Sequence, residues 1–237
     1  KYKQSAAWLM EDDSVPFDVV SQAEMIRLRD AGLLEWYEPD DEMTLLDEAS
    51  IYYTEDKWDL ALIHADAAFQ GDYLGQGVRV GVVDSGINSL ALLGEQVLPG
   101  YNYIDGGNEA DTADHYGHGT LVAGLIVGSG PEGYLGLAPR AEVIPLKVTD
   151  GKTVSVSTVC RAIYGGIDDY ACHVLNLSLG VKTEYQALRE AIDYAAEQGV
   201  VVVAAAGNGG TKTLMYPAAY ETVIGVGAVD QNASVSS

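Results

Sequence analysis

Between Val78 and Val229 the chain alternates short runs rich in Val, Ala and Ile with longer helical stretches. The runs predict strands at Val78–Val83, Glu142–Val148, His173–Leu177, Val200–Ala206 and Val223–Val229. The stretches between them predict helices at Gly119–Val127, Ser157–Tyr170 and Tyr185–Gln198, the last stopped by Gly199. Strands that are apolar on both faces and alternate with helices belong in a parallel sheet covered on both sides. The expected fold is therefore α/β, a mostly parallel, doubly wound sheet with helices on both faces. In such sheets functional groups gather beyond the carboxyl ends of the strands. Asp84 and Asn208 each follow a predicted strand, which places both at one edge.

Residues 1–60 read differently. Pro16–Val20 and Leu33–Tyr37 predict strands around a short helix near Ala23–Asp30. The acidic stretch Glu38-Pro39-Asp40-Asp41-Glu42 follows, and then Met43–Leu46. This pattern describes a small α+β unit with a tail. The expected division is that unit at 1–46, a linker at 47–60 and a main domain at 61–237.

Charge marks the same division. Residues 1–60 hold 16 acidic and 5 basic side chains, against 19 and 8 in the remaining 177, in a chain of net charge −22. Such acidity argues against nucleic acid or an anionic membrane surface as a partner. A hydrophobic content of 48% suffices for a sizeable core. The longest apolar run, Val200–Ala206, is far short of the ~18 residues that a membrane span requires. Cys160 and Cys172 flank a predicted helix too long for one disulfide to bridge, so both are expected as buried thiols.

Three segments carry candidate chemistry. Asp84 closes the run Val78-Arg79-Val80-Gly81-Val82-Val83 and precedes Ser85-Gly86; His118 opens His118-Gly119-Thr120; Asn208 ends Ala204-Ala205-Ala206-Gly207. Peptide hydrolysis by a hydroxyl needs a base, a group that orients the base, and donors for the developing oxyanion. His118 fits the base, Asp84 the orienting carboxylate, and Asn208 the amide donor. Taken singly, each has an ordinary alternative: a histidine in a glycine-rich loop, an aspartate capping a turn after a strand, and an asparagine in a turn. His115 lacks any such context and is expected to be a solvated loop residue.

Together, Asp84-Ser85-Gly86, His118-Gly119-Thr120 and Ala206-Gly207-Asn208 resemble the subtilisin-like serine peptidases of the subtilase superfamily. Gly136-Leu137-Ala138-Pro139, Asn176-Leu177-Ser178-Leu179-Gly180 and Val226-Gly227-Ala228-Val229-Asp230 extend the likeness, in order, over roughly Trp58–Ser237. The resemblance implies a Ser/His/Asp endopeptidase acting on peptide or protein substrates. It implies that Gly151, Lys152 and Thr153 form an edge that pairs with substrate. Ser178, Leu179 and Gly180 would face Ala205, Ala206 and Gly207 as the two walls of a specificity slot, with Leu214 and Met215 near its floor. The shortness of the loop from Asn208 to Pro217 suggests a shallow apolar slot.

The family's serine is expected near position ~270, so this chain alone is expected to lack the nucleophile and to be inactive as it stands. Residues 1–46, particularly Ala31–Asp40, resemble the family's inhibitory propeptide, which implies an intramolecular inhibitor and an exported, secreted or envelope-exposed protein. The segment is short for that unit, so its first strand is expected to be missing. No cofactor is required. Members of the family often bind calcium, but Leu92-Leu93 stands where a coordinating aspartate is common, which leaves Asp111 and Asp114 as weak oxygen-ligand candidates. The alternative function is a non-catalytic peptide-binding relative of the same fold. A dinucleotide-binding domain would share the sheet, but no G-x-G-x-x-G follows the first strand.

Overall fold

A computed structural model describes residues 4–9, 18–31, 34–45, 58–130, 133–134, 136–208 and 214–235. The N-terminal part contributes β1 (Gln4–Leu9), β2 (Asp18–Ser21), α1 (Gln22–Asp30), β3 (Leu34–Pro39) and β4 (Glu42–Leu45). Next come α2 (Trp58–Leu62), α3 (Ala65–Gln70), β5 (Arg79–Asp84), β6 (Tyr101–Asn102), α4 (His118–Val127), β7 (Ser129–Gly130) and β8 (Gly133–Tyr134). The chain continues with β9 (Glu142–Lys147), β10 (Thr153–Ser155), α5 (Val156–Asp168), β11 (Val174–Leu177) and β12 (Leu179–Gly180). α6 (Gln186–Glu197), β13 (Val201–Ala205) and β14 (Val223–Val226) complete the series.

Six strands form the main sheet in the order β14-β13-β11-β5-β9-β6, and every pairing in it is parallel. Alternation within the strands divides the core between two faces. Val83, Ile144, Leu146, Leu175 and Leu177 pack with Ile163 of α5 and with Leu188 and Ile192 of α6. Val80, Val82 and Val143 pack instead with Ala123 and Val127 of α4. With both faces covered, a strand needs apolar residues at consecutive positions, which is why these runs show no polar alternation. The five expected strands and three expected helices of this domain all form, with ends displaced by a few residues.

The N-terminal unit differs from expectation in one respect. It contains a strand that the sequence pattern does not announce, β1, which pairs antiparallel with both β2 and β3, and α1 accompanies this small sheet. The sequence Gln4-Ser5-Ala6-Ala7-Trp8-Leu9 has too little polar–apolar alternation to announce a strand. α2 begins at Trp58, inside the expected linker. Most of that linker, and Leu46, lie outside the described residues.

β4 leaves its own unit and inserts between β10 and β12 of the main domain, antiparallel to both. Thr44 stands opposite Thr153 on one side and Gly180 on the other, and the Leu45 amide donates to the Lys152 carbonyl at 2.9 Å. Met43 and Leu45 are fully buried in the core beneath α5 and α6. Burial of such side chains is worth about 1.5–3 kcal/mol each relative to exposure.

The acidic stretch before β4 caps two helices of the main domain. Glu38 accepts from Gln186 N at 2.7 Å and Ala187 N at 2.8 Å, at the start of α6. α6 supplies no side-chain cap of its own, because Tyr185 occupies the cap position. Asp40 accepts from Ser157 N at 2.9 Å and Ser157 Oγ at 2.7 Å in the first turn of α5, and the Tyr185 hydroxyl donates to Asp41. Carboxylates at helix N-termini satisfy orphan amides and complement the helix dipole.

Candidate active site

Asp84 is the last residue of β5 and His118 the first of α4. α4 approaches the sheet so closely that a Cβ at Gly119 would lie 2.2 Å from the Gly86 carbonyl oxygen and 3.1 Å from Asp84 Cβ. The absence of a side chain at Gly119 is what lets the first turn of the helix settle onto Asp84. His118 Nδ1 then lies 2.7 Å from Asp84 Oδ1 and 2.8 Å from Oδ2. Asp84 is wholly buried, and its Oδ1 also accepts the Ser85 amide at 2.7 Å. A buried carboxylate needs such donors. With Nδ1–H directed at the carboxylate, Nε2 becomes the basic nitrogen of the neutral ring.

The loop before α4 holds this pair in place. Asp114, buried, accepts from Gly117 N at 2.6 Å, Tyr116 N at 3.1 Å, Thr120 N at 2.8 Å, Thr120 Oγ1 at 2.6 Å and Ser85 Oγ at 2.8 Å. Burial works to raise the Asp114 carboxyl, but the hydrogen bonds from Thr120, Gly117 and Ser85 outweigh it and hold it below the ordinary carboxylate range. Its surroundings are N–H and O–H donors rather than further oxygen ligands. Asp111, half-buried, accepts from the Ala113 amide at 3.2 Å. Among the described residues, no group of three or more His, Cys, Asp or Glu side chains is placed to hold a metal ion. Buried Lys147, at the end of β9, ties the same loop to its neighbour: Nζ donates to the Ala113 carbonyl at 2.5 Å and pairs with Asp150 at 2.7 Å. His115 is exposed, with Nδ1 3.2 Å from Asp150.

The remaining candidates line the same sheet edge. Asn208, half-buried, follows β13, while the rest of its turn, Gly209-Gly210, lies outside the described residues. Ser178 separates β11 from β12 and accepts from Asn176 Nδ2 at 3.0 Å. Leu179 and Gly180 form β12, and Thr153 opens β10 directly after Gly151 and Lys152, so both groups border the strand β4. Ala205 ends β13, Ala206 N donates to the Val226 carbonyl at 2.8 Å, and the Ala206 carbonyl accepts from Met215 N at 3.1 Å. Met215 lies across Gly207, where a Cβ would come within 2.9 Å of its Cγ and Sδ. Leu214, expected beside it at the slot floor, is 46% exposed. Thr44, Gly180 and Met215 border one groove of about 580 Å³.

Sequence reasoning missed Lys147, hidden inside the apolar run of β9, and treated Ser85 only as a neighbour of the acid. It also missed the capping roles of Glu38, Asp40 and Asp41; the acidic run was visible, but its partners lie over a hundred positions away. Cys160 and Cys172 are buried free thiols. Burial pushes Cys172 up to about 11 and raises Cys160 as well, so neither is a thiolate nucleophile at neutral pH.

Comparison with known proteins agrees with this geometry. The profile of a family described as "Subtilase family" matches residues 75–237. An alkaline protease of Alkalihalobacillus alcalophilus is 35% identical over 239 residues, covering 95% of this chain and 60% of that protein. Subtilisin BL of Lederbergia lenta is 38% identical over 178 residues, 74% of this chain and 64% of the relative. Alkaline elastase YaB of Bacillus sp. (strain YaB) is 32% identical over 232 residues, 93% and 59% respectively. The chain thus spans less than two thirds of the length of these relatives.

Proposed function

The chain belongs to the subtilase family, and on that premise we propose that its cleft hydrolyses peptide bonds as a serine endopeptidase. The observation that carries this reading is the His118–Asp84 pair, with Nδ1 2.7 Å from a fully buried carboxylate. In this reading His118 Nε2 takes the proton from an attacking serine hydroxyl and returns it to the leaving amine. Asp84 fixes the tautomer and stabilises the imidazolium without taking the proton. Asn208, past the end of β13, donates its amide to the oxyanion. No described serine is assigned the nucleophile's role in this proposal.

β4 supports a second part of the proposal. An extended segment bound between two edge strands is how a cleft holds a peptide by strand addition. β4 lies in that way between β10 and β12, with Met43 and Leu45 buried. We take residues 1–46 as the protein's own inhibitory segment, held in the cleft until it is cut, and the protein as an exported precursor. Among the described residues no helix is long and apolar enough to cross a membrane. Met215 over Gly207 supports a shallow, apolar slot for the residue before the scissile bond.

The test is to express the chain together with any sequence following Ser237 and measure peptide hydrolysis and fluorophosphonate labelling. Activity and labelling that vanish in His118→Ala are the expected result. A folded, extended protein that neither hydrolyses nor labels, yet binds peptides, would establish the non-catalytic alternative. Labelling of the 237-residue chain alone would put the nucleophile within it.

A further inference from the structure

Ser85 sits between two carboxylates with one hydroxyl proton to give. Its Oγ is 2.8 Å from Asp114 Oδ1 and 3.2 Å from Asp84 Oδ1, and it accepts the Gly119 amide at 3.0 Å. The shorter contact is the hydrogen bond; the longer one leaves Asp84 Oδ1 to the Ser85 amide and to His118. Asp114 also gathers the first turn of α4 through Gly117 N, Thr120 N and Thr120 Oγ1, and its backbone is clasped by Asn88 through Asp114 N→Oδ1 at 2.9 Å and Nδ2→Asp114 O at 2.8 Å. One buried carboxylate therefore holds both the helix that carries the histidine and the serine beside the aspartate.

We propose that Asp114 is a positioning residue of this site, which holds the Ser85 hydroxyl proton away from Asp84 and so keeps the Asp84 charge available to His118. The inference deepens the peptidase reading and rests on it for its catalytic meaning, although the proton arrangement itself is a property of this chain. Asp114 can fill this role because it remains an anion: its donors hold its carboxyl below the usual range. The Tyr116 and Gly117 amides would keep the oxygen of an amide in its place on the Ser85 side, but a neutral oxygen competes less well than a carboxylate for the Ser85 proton. The hydroxyl would then rotate, and its proton would go to Asp84 Oδ1. A carboxylate that accepts an additional hydrogen bond stabilises a neighbouring imidazolium less well. Removing the Asp114 charge acts in the same direction, so His118 should lose its proton at lower pH. The other charged or titratable groups around the loop include Lys147, Asp150, His115, Asp111 and Tyr116, and the substitution leaves all of them in place.

The experiment is an NMR titration of the histidine rings in the folded chain, with His118 assigned by its loss in His118→Gln. Asp114→Asn should move the His118 midpoint to lower pH, and a folded variant with an unmoved midpoint would overturn the proposal. In a Ser85→Ala background the same substitution should move it less, because only the direct charge effect remains; an equal shift in both backgrounds would overturn the role of Ser85. Ser85→Ala alone gives a test that does not depend on Asp114→Asn folding. It should leave the midpoint where it was, whereas a rise would mean that the hydroxyl already serves Asp84. None of these readings requires hydrolysis, so an inactive extended protein would defeat the peptidase reading without touching this one.

Discussion

Glu38 and Ala187 are 149 positions apart and joined by a hydrogen bond of 2.8 Å. Through it, and through Gln186, a side chain of the N-terminal unit completes a helix of the main domain that has no cap of its own. Removing it leaves two amides at the start of α6 without that carboxylate. Glu38→Ala is expected to lower the unfolding free energy by about 0.5–2 kcal/mol, the usual cost of a lost N-terminal cap. Asp40→Ala is expected to act similarly on α5, which retains part of its cap through Ser155 accepting from Thr158 N. Urea unfolding checks both; an unchanged midpoint in the double variant would mean that the caps contribute nothing measurable.

Gly119 makes a more local prediction. A methyl group there would press on the Gly86 carbonyl at 2.2 Å, and backbone cannot rotate aside as a flexible side chain can. Gly119→Ala should therefore lift the first turn of α4 away from Asp84, at a cost of about 1–3 kcal/mol in stability. The expected signature is a His118–Asp84 hydrogen bond that is lengthened or lost, read from the Nδ1–H proton resonance. Wild-type stability together with an unchanged resonance would refute the close-approach argument.

The parts of this molecule legible in the sequence are those governed by local period. β5, β11 and β13 read as strands because both sheet faces are covered, and α6 because its apolar residues recur on one stripe. Asp84 and His118 were legible as motifs, and their separation by 34 positions gave no hint of the distance between them. What stayed hidden depends on partners remote in the chain. β12 and β6 are two residues long, too short to carry a period, and exist only because β4 and β9 pair with them. Asp114 read as one acid in an acidic loop, since residue type does not reveal which donors converge on it. The same holds for Lys147, whose burial within an apolar strand is offset by the Ala113 carbonyl and Asp150.

Alkaline pH should weaken the fold through groups kept neutral inside it. Burial, followed by the hydrogen bond to Asp41, pushes Tyr185 from 10.0 up to about 12. Burial pushes Cys172 from 9.0 up to about 11, and also raises Tyr103, Tyr164 and Tyr220. A group with a raised folded value contributes stability that is complete below its unfolded value and is lost as pH rises through the folded one. Unfolding free energy should therefore begin to fall near pH 9 and continue falling to about pH 12. Urea unfolding at a series of pH values tests this, and a Tyr185→Phe variant should have a shallower slope between pH 10 and 12. A flat profile through that window would contradict the burial argument.

The last prediction concerns Met215. Its thioether lies across Gly207, and with Thr44 and Gly180 it borders the groove proposed as the slot. If that slot receives the residue before the scissile bond, a large side chain must displace Met215, whereas a small one need not. Met215→Gly should therefore raise kcat/KM for peptides with a large aromatic residue at that position, relative to alanine, by about 10–100-fold. One or two methylene equivalents in an apolar pocket are worth roughly that much. The measurement is a competition among peptides that differ only at this position, made with the chain expressed together with any sequence following Ser237. An unaltered ratio would exclude Met215 as the floor of the slot. A strong preference for Arg or Lys in either form would contradict an apolar slot altogether.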